Sequence, residues 1–464
     1  MENSFDKNEL LTKLNSHDPA IRREAVESFF SAEMDENTAE LLSQKLTDED
    51  KGVRDSVSSV LIQSKYDKVP FYVVPFVSSK EISVRNLAGE VLLKRGINSI
   101  DAIIDYIPKG DDDDKKFVID VLGLIGDIKS EDEIIKVLMS NQNDNVILAC
   151  IEGLGNIKSE KSVEYIIPFY DKNELFRPTI IEALGKIGSA DAVKFILEKY
   201  KDEDEVTQYS MIESLGKIGN IEAFFFLISE LKNMSYALTW AAIKSLKELK
   251  EAHNLDVPFD EHMRNSIMIT LVDGDIEYKR AAASLISVFE DKKIVEACLK
   301  IYGEDSEIDE YIKAKFFENP VFLYPRLTEY MKQKPQNLKS LFDLLKDIIE
   351  FNSDSLASLS EIDMRNLCDM FADNIENPDE EIRRSAIEFL FFCSLDMAEM
   401  FIDTMLQDDN FWNRLRVLEI LEGLGSEKLN EAAKILSEDP EEMVKEKALE
   451  IIQRNGISHT ESKV

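Results

Sequence analysis

Four histidines, His17, His253, His262 and His459, are the chain's only imidazoles. Histidine is the side chain best placed to move a proton or hold a metal near neutral pH. None of the four stands in a His-Glu-x-x-His helix, and Glu261-His262 is an isolated acid–imidazole pair. No glycine-rich phosphate loop and no Gly-x-Ser-x-Gly elbow occurs. Cys150, Cys298, Cys368 and Cys393 lie far apart in sequence and form no Cys-x-x-Cys, so they read as reduced core thiols rather than as a zinc site or a disulfide framework. The run Asp111-Asp112-Asp113-Asp114 lacks the spacing and closing glutamate of a calcium loop. It reads as a solvated cap on the next helix. No cofactor and no metal are expected from these residues, and the balance leans away from an enzyme.

Carboxylates offer a second kind of chemistry, the attraction of a cationic partner. Glu27, Glu90, Asp120, Glu152, Glu182, Glu213, Glu388 and Glu450 fall at one equivalent place in successive segments, with Glu419 in looser alignment. Ser59 and Lys244 interrupt the series. A column of acids would steer a basic segment and speed its encounter. The candidate binding residues are therefore Glu90, Asp120, Glu152, Glu182 and Glu213. The plain alternative is that glutamate here favours the helix and pairs with a nearby Arg or Lys. A parallel choice attends Arg22, Arg54, Arg85 and Arg383: they grip an anion, or they tie each segment to an Asp of its neighbour. Aromatic clusters at Phe224-Phe225-Phe226, Phe316-Phe317 and Phe391-Phe392, with Trp240 and Trp412, are core or anchors for a partner. Three consecutive phenylalanines cannot all face one side of a helix, so at least one must lie at an edge.

The elements that would position these groups are read from self-similarity. Val121-Leu122-Gly123-Leu124-Ile125-Gly126, Gly153-Leu154-Gly155-Asn156-Ile157, Ala183-Leu184-Gly185-Lys186-Ile187-Gly188, Ser214-Leu215-Gly216-Lys217-Ile218-Gly219 and Ser245-Leu246-Lys247-Glu248-Leu249 repeat at intervals of 30 to 32 residues. A second mark, acid-x-x-β-branched-Arg, opens at Asp18, Asp50, Glu81 and Asp379 and in a variant at Glu441. The acid suits a helix N-terminus. The prolines of Asp18-Pro19, Asn377-Pro378 and Asp439-Pro440 suit a first helical position. Between the marks, Ile134, Ile135 and Leu138, then Val146, Cys150, Ile151 and Leu154, recur at helical spacing. Each unit thus reads as two antiparallel amphipathic helices that must stack to bury their apolar faces. The glycine after the second helix reads as its stop.

These marks, the Asp-x-x-Val-Arg start and the Glu-Ala-Leu-Gly-Lys-Ile-Gly end at 182–188, resemble the HEAT-like repeats of phycobilin lyases and many bacterial proteins. The resemblance covers about 1–251 well and 377–464 recognisably. It implies an all-α fold, an α-solenoid in which HEAT-like helix pairs of ~31-residue period form a superhelical array. It implies little about function, because such repeats serve many. The expected role is a non-catalytic protein–protein interaction scaffold or adaptor, in the setting of bacterial signalling. The alternative is a phycobilin-lyase-like or other ligand-handling enzyme. Deoxyhypusine hydroxylases, HEAT-like enzymes that hold iron through His-Glu pairs, are not matched, since no His-Glu dipeptide occurs.

Composition narrows the partner. With 91 acids against 55 Lys and Arg, the net charge is −36. Such a chain repels phosphate backbones, which are bound by Lys and Arg displacing counterions, so no nucleic acid is expected. The partner expected is a protein with a basic or apolar segment; association of the chain with itself stays open. No apolar run reaches membrane-spanning length, and the polar N-terminus, Met1 to Lys7, lacks a signal-peptide pattern. A cytoplasmic location follows as an expectation. Three regions are expected: regular repeats over 1–251, irregular helices over 252–376 and HEAT-like repeats again over 377–464. Ala252 to Pro258 reads as a loop, one unit is readable from Asp275 to Phe289, and Ser458 to Val464 reads as a frayed tail.

Overall fold

The computed structural model describes residues 7–286 and 291–461. All of its described elements are helices, 310 turns and connecting loops. The chain divides into two compact units, one ending at Asp256 and the other beginning at Val257. Each is an α-solenoid of antiparallel helix pairs.

The pair Glu131–Ser140 and Asp144–Ile157 shows why these residues make these elements. Asn143 opens the second helix, its side chain accepting from the backbone N–H groups of Asn145 and Val146. Val146, Cys150, Ile151 and Leu154 are fully buried, while Asn145, Leu148, Glu152 and Asn156 form the stripe left wholly or partly open. Ile134 and Leu138 of the first helix close the core from the other side. The helix ends at Lys158 in the left-handed region, φ 59°. Equivalent stops fall on Gly126 and Gly188, at φ 72° and 71°, where glycine carries no steric penalty.

Second helices pack in series along each unit, Asp112–Ile125 against Asp144–Ile157, then Arg177–Ile187, Glu205–Ile218 and Tyr236–His253. The anchoring leucines Leu122, Leu154, Leu184, Leu215 and Leu246 are all completely buried. In the second unit Glu261–Asp273 packs with Ile276–Ser284 and Pro320–Met331 with Leu338–Phe351, while Lys292–Ile301 and Ser306–Glu318 stack on Glu261–Asp273 and Ile276–Ser284, although the sequence marks are gone.

Several local expectations change. Asp18 and Asp379 cap their helices through the side chain, but Glu81 makes no such bond. Pro19 occupies a first helical position, whereas Pro378 and Pro440 stand in the turns before their helices. There Asn377 and Asp439 accept from the N–H two residues on, which forms a side-chain turn and moves the helix start past the proline. Helix Tyr236–His253 takes in Ala252 and His253, so the connecting loop starts at Asn254. The last helix runs through Glu461, so Ser458 to Glu461 are helical; Ser462 to Val464, like Met1 to Asp6 and the Ser287-to-Phe289 end of the expected unit, lie outside the described residues.

Candidate functional site

The second helices of the first unit approach one another through glycine. A Cβ placed on Gly155 would sit 2.8 Å from the Ala183 Cα, and one on Gly123 would sit 2.8 Å from the Gly153 Cα. Gly185 and Gly216 face Ser214 and Ser245 in the same register. Those serines bond back across the contact, Ser214 Oγ to the Ile181 carbonyl at 3.2 Å and Ser245 Oγ to the Ile212 carbonyl at 3.0 Å. The glycine inside each Leu-Gly mark is therefore a close-approach residue, a role the sequence reading missed. Its signal was present: a small residue, Gly153, Ala183, Ser214 or Ser245, stands immediately before the anchoring leucine of the next repeat.

Directly before Gly153, Ala183 and Ser214 stand acids of the column, and before Ser245 stands Lys244. Glu90, Glu152 and Glu182 are exposed, and Asp120 and Glu213 are half-buried on the same open stripe. Helix-packing distances set neighbouring rungs roughly 8–10 Å apart. The ion pairs of Asp120 and Glu182 are local. Asp120 meets Lys116 at 2.6 Å and Glu182 meets Lys186 at 2.8 Å, each within one helix turn. Glu27 accepts from Arg23 and Ser56, and these bonds hold its carboxyl below the usual range. Arg416 joins Glu388 to Glu419, and Glu450 lies 3.7 Å from Lys447. Among the described residues, Glu90 and Glu152 take part in no ion pair. Exposed pairs of this kind contribute about 0–1 kcal/mol each, so an incoming cation displaces them at little cost.

One turn or two before the acids, the stripe becomes apolar. Leu175, in the 310 turn before Arg177–Ile187, and Val206 and Tyr236, at the starts of the next two second helices, are 79%, 78% and 65% exposed, Tyr236 standing one residue earlier in its repeat. Pro178, Tyr209 and Trp240 follow between them and the acid positions, exposed or half-buried. The sequence reading did not single out Leu175, Val206 and Tyr236.

The arginine series stitches the stack. Arg22 forks onto Asp48 of the next pair at 2.9 and 2.7 Å while Nη1 donates to the Ser16 carbonyl of its own turn. Arg383 does the same with Asp408 and with the Asn377 carbonyl. Arg54 holds only its own turn, at the Asp48 carbonyl, and Arg85 reaches the Asp113 carbonyl. Two members were missed: Arg280 forks onto Asp305, and Arg414 onto Asp439 at 2.7 Å for both bonds. Burial pushes the Asp48, Asp408 and Asp439 carboxyls up, yet their arginine and backbone hydrogen bonds outweigh it and leave each below the ordinary range. Asp305, hydrogen-bonded by Arg280, is brought down to about 2.

Asp111 caps its helix, but Asp114 is buried rather than solvated, bonded by Ser78 Oγ at 2.7 Å and the Tyr106 hydroxyl at 3.0 Å. Phe224 is buried, Phe226 meets the edge of Tyr200 with ring centroids 5.2 Å apart, and Phe225 is exposed. Phe316 and Phe391 are core; Phe392 and Trp412 are about half exposed, at 58% and 49%. All four cysteines are free thiols, and burial drives those of Cys150 and Cys298 strongly upward. Among the described residues no group of three or more His, Cys, Asp or Glu is arranged to hold a metal, and no helix is long and apolar enough to cross a membrane.

Residues 168–247 match the family model of HEAT repeats. The same helix-pair plan recurs along both units, so each is an all-α solenoid of such pairs. No curated protein matches the sequence. Among solved structures, the chain is similar to importin beta, with TM-score 0.46 and 11% identity over 96% of this chain and 74% of that one. It is also similar to a Kap95p structure, with TM-score 0.43 and 13% identity over 96% and 71%. Kap121p follows at TM-score 0.41 and 13% identity over 96% and 54%.

Proposed function

We propose that the chain is a non-catalytic interaction scaffold whose working surface is the open stripe of the second helices from Asp112 to His253, and that it takes an extended protein segment carrying basic and apolar side chains. The carrying observation is the pairing on that stripe of the exposed Leu175 and Val206 with the acids Glu182 and Glu213 two turns further on, flanked by Glu152 on one side and by the exposed Tyr236, whose helix carries Lys244 at the acid position, on the other. Magnitudes divide the work between them. Covering a large apolar side chain contributes about 1.5–3 kcal/mol, whereas an exposed ion pair contributes at most about 1 kcal/mol. Affinity thus comes mainly from the apolar row, and the acids select and steer. Rungs roughly 8–10 Å apart match one turn of a polyproline II segment, three residues at ~3.1 Å each. The partner segment therefore presents a contacting side chain at every third residue. A setting in bacterial signalling, repeats of the phycobilin-lyase type and a cytoplasmic location are the finer parts of the same proposal.

Photo-crosslinking tests it. A benzophenone amino acid at Val206 or Leu175 should capture one partner through a Lys- or Arg-rich segment, and the same group at the exposed Ile362 of the second unit should not. Equal capture from both places, or capture through an acidic segment, contradicts the reading.

A further inference from the structure

The second unit holds a cleft of about 370 Å³ between the helices Glu261–Asp273, Lys292–Ile301 and Pro320–Met331. These are first helices of their pairs, so the cleft is distinct from the acidic stripe. Its apolar lining comes from Met268, Val272, Ala297 and Tyr330. Three cations, Lys293, Lys300 and Arg326, complete it. Lys293 and Lys300 stand two helical turns apart on one face, and among the described residues neither takes part in an ion pair. The two acids in the lining, Glu296 and Glu329, are drawn instead to Lys292, at 3.6 and 3.5 Å.

Arg326 is fixed in place. Its Nη1 donates to the Phe322 carbonyl at 2.6 Å, and its guanidinium lies over the Phe322 ring, 3.4 Å from the centroid. Its Nε is buried and has no hydrogen-bond partner in the protein. A buried donor left unpaired is costly, and in a chain with 91 acids a carboxylate partner for these cations was readily available. The cleft keeps its positive charge beside an apolar floor. Pockets of a few hundred Å³ with apolar walls and a few fixed polar groups are the usual size and make-up of small-molecule sites.

We propose that this cleft binds a small organic anion, a phosphate or carboxylate carried on an apolar or aromatic body, with Lys293, Lys300 and Arg326 receiving the charge and Met268, Val272 and Tyr330 the body. The proposal is independent of the acidic stripe in the first unit. Calorimetric titration of the full chain with 1-naphthyl phosphate, 1-naphthoate and the uncharged 1-naphthalenemethanol tests it, with inorganic phosphate as a fourth probe. One or both naphthyl anions should bind below about 1 mM, and the neutral analogue should bind at least ~10-fold more weakly. The better of the two anions states whether the head group is phosphate or carboxylate. The double variant Lys293→Glu with Lys300→Glu should lose at least ~10-fold in affinity, while Lys434→Glu, on the last pair of helices, should leave it unchanged. Circular dichroism identifies any variant that fails to fold, and Arg326→Gln, which removes charge but not bulk, then serves as the second test. No binding of either anion at about 1 mM, equal binding of the neutral analogue, or full binding by a folded charge-reversed variant overturns the proposal.

Discussion

In the first unit, from Asp112 to His253, successive second helices meet backbone to backbone at Gly123, Gly155, Gly185 and Gly216. In the second, the stack is filled by large rings, with Phe342, Phe371 and Phe389 in a chain of centroid distances 6.2 and 5.3 Å. It is clamped by Arg280–Asp305, Arg383–Asp408 and Arg414–Asp439, where among the described residues of the first unit Arg22–Asp48 is the one equivalent forked pair. The helix-pair plan is the same in both. Stacking demands only an amphipathic pair and a filled interface, and glycine contact or aromatic packing with ionic clamps each supply the second. The glycine solution leaves a flat, closely spaced stripe on which side chains at one position stand in line, and the candidate surface lies on that stripe.

The contrast can be broken most strongly with acid. The folded-state pKa values of Asp305, Asp408 and Asp439 are depressed, so the stability they contribute is complete above the ordinary carboxylate value of about 3.9 and is lost as pH falls through each folded-state value, about 2 for Asp305. Among the described residues of the first unit Asp48 is the one carboxyl depressed by a forked arginine; Glu27, Asp204 and Glu230 are also depressed, but Glu27 and Asp204 are exposed and contribute little. The two tryptophans report the units separately, Trp240 in the first and Trp412 in the second. Single-tryptophan variants should show the Trp412 transition at the higher pH; coincident transitions would remove the distinction.

Removing one clamp comes next. Arg414 and Asp439 side chains are 9% and 3% exposed, so Arg414→Met strands a buried carboxylate. A loss of about 3–5 kcal/mol is expected in urea unfolding followed at Trp412. Third, one substitution should have opposite signs in the two units. Gly155→Ala drives a methyl into the Ala183 backbone and should destabilise by about 1–3 kcal/mol. Gly423→Ala, with nothing within 4 Å of the new Cβ, should stabilise its helix by about 0.5–1 kcal/mol. The smallest effect is at Lys158, whose φ of 59° falls where neighbouring repeats carry glycine. Lys158→Gly should gain about 1 kcal/mol, read as a shift of the Trp240 transition.

The same contrast explains what the sequence disclosed. The period was legible where glycine and leucine hold fixed places, because close backbone contact admits only the smallest residue. Between 259 and 376 it faded, because rings such as Phe316, Tyr324 and Phe342 fill equivalent space in many arrangements. Arg22 and Arg383 could be given an Asp partner from spacing, whereas Arg414 was overlooked because Asn410, not an acid, opens its helix. The column itself was readable at Glu90, Asp120, Glu152, Glu182 and Glu213. Its apolar companions were not, since Leu175 and Val206 resemble core residues until the packing leaves them outside.

Fluorescence anisotropy of a labelled peptide with Lys and Leu alternating at every third position, titrated with the full chain at low and high salt, tests the central claim most directly. Rungs about 10 Å apart lie just beyond the ~8 Å screening length at physiological salt. Binding should therefore weaken moderately with salt, and it should fall at least ~10-fold when Glu152, Glu182 and Glu213 are all changed to Lys. Affinity indifferent both to salt and to that triple reversal, in a chain whose helicity is intact, would place the partner surface elsewhere.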